Sequence, residues 1–125
     1  MKEKAHKLFK DAYEKLDQAN TEISRPEEDI VSYLVCKNAQ VAIENYLKGF
    51  LFQNGVDASN YSSIDALFEQ CRLINNKFEK VKLSTINCKS EEFSTSYCND
   101  ISRVSNCFNI ANDLDTFLRK EKIID

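Results

Sequence analysis

Asn38-Ala39-Gln40-Val41-Ala42-Ile43-Glu44-Asn45-Tyr46-Leu47-Lys48-Gly49-Phe50-Leu51 reads as a helix that is apolar nearly all round, interrupted by one carboxylate and one amine four residues apart. A surface helix carries one apolar stripe, whereas a helix apolar around most of its circumference belongs in the middle of a domain. Glu44 and Lys48 stand at i and i+4 with the acid toward the amino terminus, the favourable order. The spacing therefore predicts a structural ion pair on a single face. Because an unpaired buried charge is expensive, Glu44 needs Lys48 or a partner from another helix, and holding the bundle together is its expected role ahead of acid catalysis.

Upstream, Ser24-Arg25-Pro26-Glu27 offers a capping residue, a proline for the first turn and an acid at the positive end of the helix dipole, so the central helix is predicted to begin there. Downstream, Gly55 is suited to the left-handed conformation that ends a helix. The segment between is about 27 residues, roughly 40 Å at 1.5 Å per residue. That is more apolar surface than one small bundle covers, and it predicts a second copy on the same face, a homodimer. Gly49, which costs about 1 kcal/mol relative to alanine in a helix interior, predicts close approach of a neighbouring helix.

The remaining elements follow from periodicity. Ala5, Leu8, Phe9, Ala12, Leu16, Ala19 and Ile23 recur at spacings of three and four, predicting a first helix over 2–20 with a charged, solvated opposite face that includes Lys4, Lys7, Glu14 and Lys15. Ser62-Ser63 caps a third helix over 63–77, whose stripe is Ile64, Leu67, Phe68, Cys71 and Ile74. From 79 to 96 the period is lost and Ser, Thr and Asn accumulate, which reads as a connection. Ile101, Val104, Phe108, Ala111, Asp115 and Leu118 trace a fourth helix over 97–121, with Asp115 the one acid on the ladder. Long helices joined by short connections give an all-α, antiparallel up-and-down four-helix bundle, with residues 1–125 as one domain.

Composition agrees. The chain has 125 residues with two Gly, one Pro and no Trp, and charged residues make up 30% of it. This balance favours packed helices over turn-rich β structure. With Gly49 and Gly55 as the only glycines, no Gly-rich phosphate loop, dinucleotide fingerprint or nucleophile elbow can form. A net charge of −3 gives no overall positive field for DNA, and none is expected as a partner. The first twenty residues, Lys-rich and periodic, read as neither signal peptide nor membrane anchor, so a cytoplasmic protein is expected. Five cysteines without close spacing make no zinc site; they read as reduced thiols, with Cys36, Cys71 and Cys107 filling the core. No cofactor or metal is implied.

The stretch Ala42-Ile43-Glu44-Asn45-Tyr46-Leu47-Lys48-Gly49-Phe50-Leu51 resembles the central helix of the HEPN family, small helical domains named for higher eukaryotes and prokaryotes nucleotide-binding. That family carries an Ala-x-Glu-x-x-x-Lys core followed by apolar residues, and here Ala42 stands two before Glu44. Gly55 and then Ser63-Ile64-Asp65-Ala66-Leu67-Phe68 occupy the place of the family's Thr-His-Asp-Leu type helix start, and the order of helices matches through residue 121. The resemblance implies a homodimer. It also implies one of two roles: partner of a small nucleotidyltransferase, or ribonuclease of a toxin, abortive-infection or RNA-processing system.

The family's ribonucleases depend on an Arg-x(4 to 6)-His motif near the final helix. Arg103-Val104-Ser105-Asn106-Cys107-Phe108-Asn109 supplies the arginine but places Asn109 where the histidine belongs, and the family's other frequent histidine is replaced around Ile64. An amide does not carry protons near neutral pH as an imidazole does, so attack of a ribose 2′-hydroxyl loses its general base. The sole histidine, His6, lies on the first helix without an orienting partner in the sequence. Asn99, Arg103, Asn106 and Asp113 are expected on one side of the fourth helix, a polar groove for a nucleotide or an RNA phosphate with Arg103 as its cation, and Asn99, Arg103, Asn106 and Asn109 are the candidate ligand-binding residues. The expectation is thus a non-catalytic, dimeric interaction module. A metal-independent ribonuclease using Arg103, and a helical adaptor outside the family, are the alternatives.

Overall fold

A computed structural model describes residues 2–61, 63–81 and 101–124. Its helices are α1 (Lys2–Ile23), α2 (Ser32–Gln53), α3 (Ile64–Ile74) and α4 (Ile101–Lys120), with 3-10 turns at Glu27–Asp29, Ala58–Asn60 and Asn76–Lys80. There is no strand among the described residues, and no helix long and apolar enough to cross a membrane.

The central position of α2 is as the apolar pattern requires: it packs against α1, α3 and α4, and Val35, Ala39, Ile43, Tyr46, Leu47 and Leu51 are all fully buried. Direction follows from the pairs that meet. Phe9 of α1 touches Gly49, and Lys4 lies over the Phe52 ring at 4.6 Å, so the start of α1 meets the end of α2 and the two run antiparallel. Between α2 and α4 the contacts rise together, Cys36 with Cys107, Tyr46 with Asp115 and Gln53 with Ile123, so these helices are parallel, as alternate members of an up-and-down bundle must be.

Two details of the α1–α2 seam come straight from side-chain size. Ala5, Ala12 and Ala19, seven residues apart, are all buried and let the helices approach closely. Gly49 does the same from the other side: a Cβ there would lie 2.6 Å from Phe9 Cε1. At the end of α2, Gly55 takes φ +80°, with its N–H bonded to the Phe52 carbonyl and that of Val56 to the Leu51 carbonyl, the paired bonds that satisfy the last orphan carbonyls.

The start of α2 differs from the sequence expectation. Ser24 does not cap it; its hydroxyl donates to the Asn20 carbonyl at 2.7 Å and closes α1 instead. Pro26 opens only the short turn Glu27–Asp29, closed by the Asp29 N–H on the Pro26 carbonyl at 2.8 Å. The chain then extends at Val31 (φ −91°, ψ 93°), whose N–H is taken by the Glu22 carboxylate at 3.0 Å. Adjacent β-branched Ile30 and Val31 favour that extended backbone, and Glu22 supplies the partner a helical turn would have given. α2 is consequently 22 residues long, shorter than predicted.

α3 starts where expected, with Ser63 Oγ accepting from the Ala66 N–H at 3.1 Å, but ends early at Ile74. Asn75 is extended, and its side chain captures the Lys77 N–H at 3.0 Å, the local competition by which asparagine breaks helices. The break carries Phe78 into the core, edge-on to Phe50 at 4.7 Å and to Phe117 at 4.9 Å. The expected connection over 79–96 and the expected start of the last helix at 97 fall largely on residues 82–100, outside the described residues; α4 is described from Ile101.

Candidate functional site

The apolar stripe of α4 buries Cys107, Ile110, Ala111, Leu114, Phe117 and Leu118, and Asp115 lies at its margin, 9% exposed. A carboxylate in such a place must be hydrogen-bonded or it destabilises the fold. Two donors meet it. The fully buried Tyr46, on α2, donates its O–H to Asp115 Oδ1 at 2.5 Å. One turn further along α4, Arg119 Nε donates to Oδ1 at 3.1 Å and Oδ2 at 3.0 Å.

The electrostatics make this a lock. Burial, followed by the bond to Asp115, pushes the Tyr46 phenol far above its ordinary range, and the bond to Asp115 raises the Arg119 guanidinium further. Phenol and guanidinium therefore stay donors at any physiological pH, and both hold Asp115 in place.

The Arg119 guanidinium also lies over the ring of Tyr13, 5.4 Å from its centroid, tying α4 to α1. Beside this contact, the outer ends of α1, α2 and α4 enclose a groove of about 660 Å³. Ala5, Phe9, Ile123 and Ile124 give it an apolar floor. His6, Lys10 and Arg119 bring basic groups to its walls, with Tyr13 and Gln53 beside them.

The residues expected to bind a ligand lie toward the other end of α4. Positions 103, 106 and 109 follow at three-residue spacing along one side of the helix. Asn109 is exposed, the side chains of Arg103 and Asn106 lie outside what is described, and Asn99 falls outside the described residues altogether. Asn109 and Arg119 are ten residues apart, about 15 Å along the helix axis. The only histidine, His6, is thus grouped with the distant groove.

Glu44 and Lys48 are both half-buried on α2. Burial pushes the Glu44 carboxyl above its ordinary value, and the Lys48 charge opposes that rise. The salt bridges found among the described residues do not include this pair. The spacing of the two residues yields a coupling through the electrostatic field, without the direct contact it predicted.

The thiols behave as core atoms. Cys36 and Cys107 meet at 3.7 Å between α2 and α4, and Cys71 donates to the Leu47 carbonyl at 3.6 Å, burial holding its thiol well above the usual range. Among the described residues no group of three His, Cys, Asp or Glu side chains is placed to hold a metal ion.

Sequence reasoning missed the Tyr46–Asp115–Arg119 unit. Its signal was nonetheless present: an aspartate on an apolar ladder with an arginine four residues later. Tyr46 gave no sign because its ring satisfies an apolar pattern whatever its hydroxyl does.

The family model of the HEPN domain matches residues 2–116. No curated protein and no solved structure matches the chain.

Proposed function

The chain belongs to the HEPN domain family, and from that membership we propose that it is a non-catalytic interaction module. It dimerises and uses the polar side of α4 around Arg103, Asn106 and Asn109, with Asn99, to hold a partner. That partner is a small nucleotidyltransferase, or else a nucleotide or RNA ligand. The family is one of nucleotide-binding and ribonuclease-like modules, and the choice between the two rests on position 109. There an exposed asparagine follows Arg103 at the spacing where a ribonuclease needs its histidine. Proton transfer from the ribose 2′-hydroxyl requires a group that titrates near neutrality, and asparagine does not. His6 does not make up the loss, since it belongs to the groove at the far end of α4. The placement within the family leaves no support for an adaptor outside it.

Support for dimerisation comes from apolar surface that the described bundle leaves open, including Val31 and Leu34 at the start of α2 and Leu73 and Ile74 at the end of α3. Light scattering on the full chain at micromolar concentration tests the module. A dimer mass is expected, and a monomer would contradict it.

A further inference from the structure

We propose that the groove between α1 and the carboxy-terminal end of α4 is a second binding site, one that takes a small organic oxyanion carried on a flat apolar body. This goes beyond the role assigned to the polar side of α4, because the two regions are separated by about ten residues of that helix, about 15 Å.

The first argument is charge. The protein as a whole is acidic, with a net charge of −3, yet among the described residues the lining of this groove includes His6, Lys10 and Arg119 and no Asp or Glu. His6, Lys10 and Tyr13 stand at i, i+4 and i+7 of α1, so one face of that helix directs them to the same concavity. The Arg119 charge is shared with Asp115, which leaves the exposed His6 and Lys10 as the groups that meet the anion.

The second argument is shape. A volume of about 660 Å³ falls in the range of small-molecule sites, which are mostly apolar with a few fixed polar groups. Phe9, Ile123 and Ile124 supply the apolar part. Tyr13 supplies a ring 52% exposed, held in place by Arg119 on one side, against which a flat body can stack. The Tyr46–Asp115–Arg119 lock fixes that wall before any ligand arrives, which lowers the ordering cost of binding.

An aryl phosphate, including a nucleotide, and an aryl carboxylate share this chemistry, and the test separates them. The full ¹⁵N-labelled chain is titrated with 2-naphthyl phosphate, adenosine monophosphate, 2-naphthoate and the neutral 2-naphthol, while amide shifts are followed. Saturable shifts at Lys10, Tyr13 and Ile123 are expected with at least one anion, and binding of that anion at least about fivefold tighter than of 2-naphthol. Lys10→Gln and His6→Gln, both at exposed positions, are expected to weaken that anion about three- to tenfold and to leave 2-naphthol unchanged. If adenosine monophosphate is the tightest, the site is for a nucleotide; if 2-naphthoate, for a carboxylate. Equal binding of 2-naphthol and the anions, shifts confined to other parts of the chain, or variants that bind as the native protein does would each overturn the proposal.

Discussion

Two positions on α4, six residues apart, treat their polar side chains in opposite ways. Toward the carboxy terminus, Asp115 is nearly buried and held by Tyr46 and Arg119. At Asn109 the helix carries an exposed amide, six residues after Arg103. The difference teaches that a polar side chain on this helix is committed to geometry at Asp115 and faces solvent at Asn109. The same contrast separates two carboxylates: Asp115 has two donors in contact, whereas Glu44 on α2 feels Lys48 only through the field.

The largest effect is expected at Asp115. Asp115→Ala strands the buried Tyr46 hydroxyl and releases Arg119, and a loss of about 3 kcal/mol is expected in chemical denaturation. Tyr46→Phe removes one donor and leaves the Asp115–Arg119 bond, so about 1–2 kcal/mol is expected. The raised phenol adds a pH signature. Its contribution is complete below its ordinary value near 10 and is lost as pH rises above that, so Tyr46→Phe should blunt the alkaline fall in stability. A double variant no worse than Asp115→Ala would show the pair to be one unit; simple additivity would break the comparison.

A smaller gain is expected where α4 ends. Lys122 takes φ +59°, a left-handed conformation that side chains resist, while the Ile123 N–H reaches the Leu118 carbonyl at 2.9 Å to close the helix. Lys122→Gly relieves that conformation and is expected to raise stability by about 0.5–1 kcal/mol in thermal unfolding.

The smallest effect is at Glu44. Burial raises its carboxyl above the ordinary value of 4.5, so folding favours the protonated form, and the contribution is present below 4.5 and lost as pH rises. Glu44→Gln should therefore stabilise the chain at neutral pH by under about 1 kcal/mol, the gain vanishing in acid. A loss at neutral pH would mean that a cation reaches Glu44, and would put the two carboxylates in the same class.

Much of the scaffold was legible because helical periodicity and size selection act locally. The apolar circumference of α2 announced its central place, Gly49 the close approach of a neighbouring helix, Gly55 the end of the helix and Ser63 the start of α3. What was not legible depended on groups distant in sequence or on competition between nearby ones. Glu22 takes the Val31 N–H nine residues away and delays α2, and Asn75 takes the Lys77 N–H and frees Phe78 to enter the core. The site divides the same way. Arg103 and Asn109 were picked out through the resemblance to the family's Arg-x(4 to 6)-His motif, whereas the groove needs α1 folded against α4 before His6 and Lys10 share a wall with Arg119.

The central claim, an interaction module without ribonuclease chemistry, is met most directly by incubating the full chain with end-labelled single-stranded RNA beside the Arg103→Ala variant. The account predicts intact RNA with both proteins at equal concentration and time. Cleavage by the native chain that disappears in Arg103→Ala would contradict it.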